Sequence, residues 1–430
     1  MLLIIDMPSL GSGGLLMEAI LRYQEPYFLL VRNKSNTIKS WPAHVKEKAV
    51  LHECQPFTIE AIAHYLANYS SITFSGVLCS LDHLMPIAAH FAEKFHLPFA
   101  SPQSILRWTD KGLSRQFCSE ANLPIPSFLC IEQNDEAYLQ QWQNYPAIIK
   151  PRRGSGSLGV HRLENSTALL HFFQQLNRPF VPNEWMIETC LSGAIYSVEG
   201  YMLSGELHWL GISDRTWGAQ PLFIEDGLNF PVLQNTNLGK SLYNLGERVV
   251  KATQYEHGFF HIEIMVCQNQ AYIIELNPRH GGRVPVMASI VYECDFYAQQ
   301  LALCKGIAPQ FGLPRKGASA FYIFPHRTGI WRGFNETILK HYPSIKVIRP
   351  NPERQLGDRL GSVYSIRDNL FLVFFEAETA ELSHAIARAF ISEVPMYLQI
   401  ESPPKIKSKH VQRSFLGRLK YRVKSFLYKP

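Results

Sequence analysis

The sequence predicts an α/β chain that passes into α+β: a parallel, helix-covered sheet at the front, antiparallel and hairpin-rich sheet behind it, and a basic tail. Three observations carry this. At 430 residues the chain exceeds one ordinary core, so two to four packed units are expected. Over about the first 105 residues, strand-like apolar runs alternate with helical ones, the pattern of parallel strands joined by crossover helices. Farther on, apolar runs face each other across short polar turns, which favours antiparallel hairpins.

Taken in order, "MLLIIDMPSLGSGGLLMEAIL" reads as strand, glycine-rich turn and helix, and "SGVLCS" followed by "LDHLMPIAAHFAEKFHLP" repeats strand and helix. From Trp108, "TDKGLSRQFCSEANLPIPSF" reads as a helix ended by Asn122 and closed off by two prolines. "YPAIIKP" and "GVHRL" flank a glycine–serine loop as a hairpin. "EWMIETCL", "YSVEGYML" and "ELHWLGI" are further strands, and residues 240–257 read as a helix. "FFHIEIMVC" and "AYIIELN" form a hairpin around Gln268-Asn269-Gln270. After Pro309, Gly312 and Pro314, a last α+β stretch runs to about 401. The division expected is 1–107, 108–186, 187–307, 308–402 and the tail 403–430.

Hydrophobic content of 46% and charged content of 18% describe a folded chain, neither disordered nor membrane-spanning. The longest apolar runs are strand-sized, short of the roughly 20 residues of a spanning helix. "MLLIID" lacks a basic leader and is broken by Asp6, so it reads as a first buried strand. Eight cysteines without a C-x-x-C pair suggest reduced thiols and a cytoplasmic location. Of the net charge of +6, residues 402–430 contribute six lysines and three arginines with no acid, leaving about −3 for the rest.

The stretch "IIKPRRGSGSLGV" is by itself either a plain hairpin turn or a clasp for phosphate. Two rival phosphate readers are rejected. Gly-Ser-Gly-Gly at 11–14 lacks the third glycine of a dinucleotide fingerprint, and Gly239-Lys240-Ser241 lacks the first glycine and leading strand of a P-loop. The informative constellation is "HIEIMVCQNQAYIIELNPRHGG". Strand alternation puts Glu263 on the face of His261, and Glu275 on the face of Asn277 and Arg279. Two carboxylates and an amide oxygen side by side suit Mg²⁺, which takes hard oxygen ligands and leaves positions for phosphate.

In order, "DK" at Asp110-Lys111, "IIKPRRGSGSLGV", "MIETCLSGAIYSVEG", "HIE" and "IIELNPRHGG" resemble the ATP-grasp superfamily, in particular its carboxylate–amine ligases, with biotin-carboxylase-like and amino-acid ligase branches. The resemblance covers about residues 1–305, and "GASAFYIFPHRTGIWRGF" onward looks like the closing accessory domain. It implies an N-terminal α/β domain, a small lid subdomain, a central catalytic sheet and an ADP-forming ligation through an acyl-phosphate. It implies that Lys150 and Lys111 neutralise the polyphosphate, and that Gly154, Ser155, Gly156, Ser157 and Gly159 fold over the triphosphate. Glu188, Thr189, Cys190 and Leu191 correspond to the hinge whose backbone contacts adenine. Glu263, Glu275 and Asn277 correspond to ligands of Mg²⁺, or of Mn²⁺ in its place, and Arg279 to the residue that stabilises the transition state. Where the family carries a ribose-binding glutamate this chain has Ile195, and Glu199 is the candidate substitute.

Several readings stay open. His261 is either catalytic or a structural hydrogen-bonder; Arg283 is a clamp for a substrate carboxylate or a surface arginine; Arg215 and Glu225 border the substrate pocket in relatives. The expected substrates are a small carboxylate and an amine, with no specific nucleic acid, and relatives suggest a homodimer. A carboxylating enzyme, a silent ATP-binding regulator and a scaffold are the alternatives. In the tail, Val411, Phe415, Leu419, Val423, Phe426 and Leu427 recur at helical spacing among basic residues, which suits weak docking on an anionic membrane or a partner protein.

Overall fold

The computed structural model describes the chain except residues 9–11, 155–158, 177–178, 218–224 and 403–430, so Ser155, Gly156, Ser157 and the basic tail lie outside the described residues. Four short strands, β1 (Leu2–Ile5), β2 (Tyr27–Val31), β3 (Leu51–Glu53) and β4 (Gly76–Leu78), form a parallel sheet in the order β3-β2-β1-β4. All four residues of β1 are buried, as expected of a parallel strand covered on both faces.

A second, four-stranded antiparallel sheet follows: β5 (Phe128–Cys130), β6 (Ala147–Pro151), β7 (His161–Leu163) and β8 (Trp185–Thr189), ordered β5-β8-β6-β7. The expected hairpin is present, with Ala147 opposite Leu163 and Ile149 opposite His161. Trp142, Ile149, Leu169 and Ile187 give this small sheet a core of its own.

The third sheet has eight strands. Its strands are β9 (Ala194–Leu203), β10 (Glu206–Trp217), β11 (Glu225–Phe230), β12 (Gly258–Cys267), β13 (Gln270–Asn277), β14 (Gly317–Ile323), β16 (Ile345–Pro350) and β18 (Phe371–Ala377). They run β13-β12-β9-β10-β11-β14-β18-β16, so strands from beyond residue 308 continue the central sheet. The remaining strands, β15 (Gly329–Phe334), β17 (Arg359–Leu360) and β19 (Leu398–Glu401), form a separate three-stranded sheet.

Helices pack on both faces of the large sheet. Leu242, Leu245 and Val249 of helix Asn237–Thr253 join Val198 and Ile262, whereas Val284, Met287 and Val291 of helix Val284–Tyr292 join Tyr201 and Phe259. Neighbours of opposite parity along β9 and β12 thus serve opposite faces.

The helix expected over 240–257 is instead Asn237–Thr253. Thr236 accepts from Gly239 N and fixes its start. At the other end Gln254 turns left-handed (φ 54°) and Tyr255 N bonds back to Val250 O, a C-terminal cap that stops the helix before Tyr255.

Candidate active site

A cavity opens between the small sheet and the β12–β13 edge of the large one, and most residues singled out for nucleotide chemistry line it: Lys111, Lys150, Gly154, Glu188, Thr189, Cys190, Leu191, Glu263 and Glu275. Ile148, Val160, Ile195, Met265 and Ile274 supply apolar walls. Such a lining suits a flat heteroaromatic base at one end and a charged chain at the other.

Each cation here is positioned by local folding. Asp110 caps helix Lys111–Glu120, accepting from Gly112 N and Leu113 N. The same carboxylate takes Arg152 Nε and Nη2 at 3.0 and 2.8 Å, so it ties the start of the glycine–serine loop to the helix. Lys111 Nζ then reaches Gly154 O at 2.6 Å and Glu275 Oε1 at 3.0 Å. Gly154 sits at φ +144°, where a side chain is strained; Gly159, at φ +76°, closes the loop against Pro151.

Lys150, expected to face phosphate, is buried and paired with Glu188 at 2.5 Å. Glu188 also accepts from Arg115 Nε at 2.6 Å. Its carboxylate therefore serves Lys150 and Arg115, and does not itself present a ligand to a base. Burial pushes the Lys150 ammonium below its usual pKa, with Glu188 only partly opposing. Burial favours the neutral Glu188 acid, but Arg115 and Lys150 together hold its pKa below the ordinary carboxylate range. The sequence reading missed Arg115; its signal was a position one helical turn after Lys111.

Glu263 and Glu275 stand directly opposite each other on β12 and β13. Facing carboxylates repel unless cations lie between them, and here Lys111 meets Glu275 while Arg215 Nη2 meets Glu263 at 2.7 Å. Among the described residues no three His, Cys, Asp or Glu side chains form a closed metal cluster. An open pair of carboxylates still fits magnesium, which keeps water or phosphate in its other positions. Asn277, expected as a third ligand, donates its amide to His261 O (3.4 Å) and accepts from Arg279 at its oxygen (3.3 Å); neither Asn277 nor Arg279 lines the cavity.

Behind the acids lies a charged network. His261 Nδ1 donates to Glu199 at 2.6 Å. Its Nε2 lies 2.7 Å from Arg215 Nη2 and 3.2 Å from Glu263 Oε1, so it accepts from the arginine when neutral and donates to the carboxylate when protonated. Burial disfavours charge on this ring, yet Glu199 and Glu263 outweigh it and raise the pKa to about 9. Glu225 accepts from Arg215 Nη1 at 3.1 Å and from Arg283 Nη2. Arg283 is therefore a buried, paired residue and not a surface arginine.

Glu199 does not replace the missing ribose ligand. It lies four residues along β9 from Ile195, roughly 13 Å at strand rise, and its position opposite His261 buries it in that pair. Ile195 itself lines the cavity. Arg279 is gripped at 2.7 Å through both Nε and Nη2 by Asp82, just beyond β4. The sequence reading gave Asp82 no role, and nothing local marked it.

A small sheet and a larger one closing over a cavity lined by lysines and strand-borne acids define an ATP-grasp fold. Residues 143–286 match the model of the ATP-grasp domain family. It is 24% identical over 255 residues to the Sinorhizobium fredii protein y4rH, covering 57% of this chain and 52% of that one. It is also 24% identical over 178 residues to carnosine synthase 1 of Gallus gallus, covering 38% and 19%. The chain thus spans about half or less of the length of these relatives. Among solved structures, L-amino acid ligase from Bacillus licheniformis superposes with a TM-score of 0.75 over 94% of this chain and 98% of that one, at 17% identity, a likeness of fold.

Proposed function

We propose that the chain is an ATP-dependent carboxylate–amine ligase acting on small molecules, amino acids among them. The observation that carries this reading is the convergence of Lys111, Lys150, Glu263 and Glu275 on one cavity with apolar walls. The names of two similar proteins, an L-amino acid ligase and a carnosine synthase, support the substrate class.

In the first step a substrate carboxylate oxygen attacks the γ-phosphorus of ATP. A P–O bond forms, the bond to the β–γ bridging oxygen breaks, and ADP leaves. In the second step an amine nitrogen attacks the acyl carbon, the C–O bond to phosphate breaks, and the nitrogen gives up a proton, leaving an amide and inorganic phosphate. Lys111 and Lys150 bind and orient the polyphosphate, trading carboxylate partners for phosphate oxygens. Glu263 and Glu275 would hold Mg²⁺, which would neutralise charge on the phosphate chain. Arg279, steadied by Asp82, stabilises the oxyanion on the acyl carbon. The apolar walls exclude water from the acyl-phosphate.

The test is a phosphate- and ADP-release screen of the full chain with ATP, magnesium and pooled amino acids. The reading expects release only with a matching acid and amine, and loss of it in Glu275→Gln and Lys150→Ala. Release that survives both substitutions refutes the site; ATP binding without release for any pool favours a silent regulator.

A further inference from the structure

We propose that Arg215 and Arg283 form the recognition site for a substrate carboxylate, and that Glu225 holds this site from within the chain until the substrate displaces it. The proposal rests on the ligase reading and names the residues that would select the acid.

Two arginines converge on one carboxylate. Arg283 stands at the start of helix Val284–Tyr292; its Nη2 donates to Glu225, its Nη1 donates to Ala320 O at 3.3 Å, and its guanidinium lies 5.1 Å from the centre of the Tyr322 ring. Arg215 reaches the other oxygen of Glu225 from β10. A planar carboxylate between two guanidiniums is the geometry with which arginine recognises free acids. Both cations are largely buried, and a buried Arg–carboxylate–Arg cluster is weak evidence for stability, because apolar packing of equal volume serves a core as well or better.

The cluster meets the cavity through Glu263, which lines it, whereas Arg215, Glu225 and Arg283 do not. Through its second nitrogen, Arg215 binds Glu263, one of the facing acids that suit a divalent cation. Once Glu263 turns to such a cation, Arg215 loses one of its two carboxylates and sits beside an added positive charge. It then has surplus capacity for an anion. Among the described residues its buried Nε has no hydrogen-bond partner. An incoming carboxylate can take the place of Glu225 on both arginines and lie next to the acids that position the phosphate chain. A neutral ester or amide of the same shape cannot.

The full chain, without nucleotide, is titrated calorimetrically with acetate at constant ionic strength, using methyl acetate as the uncharged control. Glu225→Gln removes the internal competitor while keeping its shape, and acetate should bind it about tenfold or more tightly than it binds the parent, given what a hydrogen bond to a charged group contributes. Adding Arg283→Gln should abolish the gain, and methyl acetate should bind neither chain. Equal acetate affinity in the parent and Glu225→Gln, or a gain that survives Arg283→Gln, overturns the proposal. Should Glu225→Gln fail to fold, Glu225→Asp keeps the charge but withdraws it by one methylene; a smaller gain is expected, and parent-like affinity overturns the proposal as well. Because no ATP is present, a negative result leaves ADP release untouched, whereas failure of the ligase reading appears as absent ADP release.

Discussion

At the proposed nucleotide end of the cavity, Lys111 meets Glu275 at 3.0 Å and Lys150 meets Glu188 at 2.5 Å, each cation with one carboxylate. Behind the facing acids, at the proposed substrate end, Glu225, Arg215, Glu263, His261 and Glu199 share partners in an unbroken chain. The first arrangement is built from short contiguous motifs, and its lysines can exchange one carboxylate for a phosphate. The second is assembled from five separate strand positions and can open only by breaking several contacts together. On the proposed reading, the first yields to a highly charged ligand, and the second opens only when a specific anion competes for it.

The sharpest way to break this contrast is at the nucleotide end. Glu275→Gln should lower ADP release by about 10²–10³-fold, the scale of losing one preorganised charge at a reacting centre, with little change in thermal stability because its side chain is a quarter exposed. A coupled ADP assay reads the first and a melting curve the second. Next, Arg115→Met leaves Glu188 buried with Lys150 alone, and removing one partner of a buried ion cluster should cost about 3–5 kcal/mol. A denaturant midpoint that does not move would show that Lys150 suffices.

Toward the substrate end, pH provides a smaller probe. Burial lowers the His280 pKa from 6.5 to about 4, since the ring is enclosed near Phe259 and Phe296. Between those values the unfolded chain binds the extra proton, so this contribution is full above pH 6.5 and is lost as pH falls toward 4, up to about 3 kcal/mol. In His280→Phe, unfolding measured at pH 7 and pH 5 should show a smaller difference than in the parent. The smallest effect lies outside both ends: Gln254→Gly at the left-handed helix cap should stabilise by up to about 1 kcal/mol, and a lower melting temperature would contradict the cap assignment.

What could be read from the sequence follows the same divide. Period-two alternation within one strand was enough to put His261 and Glu263 on one face, and the short polar turn, which is Gln268-Asn269 with Gln270 already paired to Cys267, was enough to set β12 against β13. Neighbours in the sheet order were not legible. That β9 lies between β10 and β12 decides that Glu199 faces His261 and not the cavity. The Asp82–Arg279 pair joins residues 197 apart, and no local pattern predicts a partner at that distance. Glu188 was legible only in part. Its motif correctly marked the cavity wall, but the side chain's job of holding Lys150 and Arg115 depends on a helix contributed by an earlier segment.

The central claim is that Glu263 and Glu275 support a magnesium–triphosphate complex in the cavity between the two sheets. Calorimetric titration of a nonhydrolysable ATP analogue, with and without magnesium, into the parent chain and into Glu263→Gln/Glu275→Gln tests it directly. Magnesium should strengthen binding to the parent chain and have no effect on the double variant. Equal magnesium dependence in both chains, or no binding to either, would contradict it.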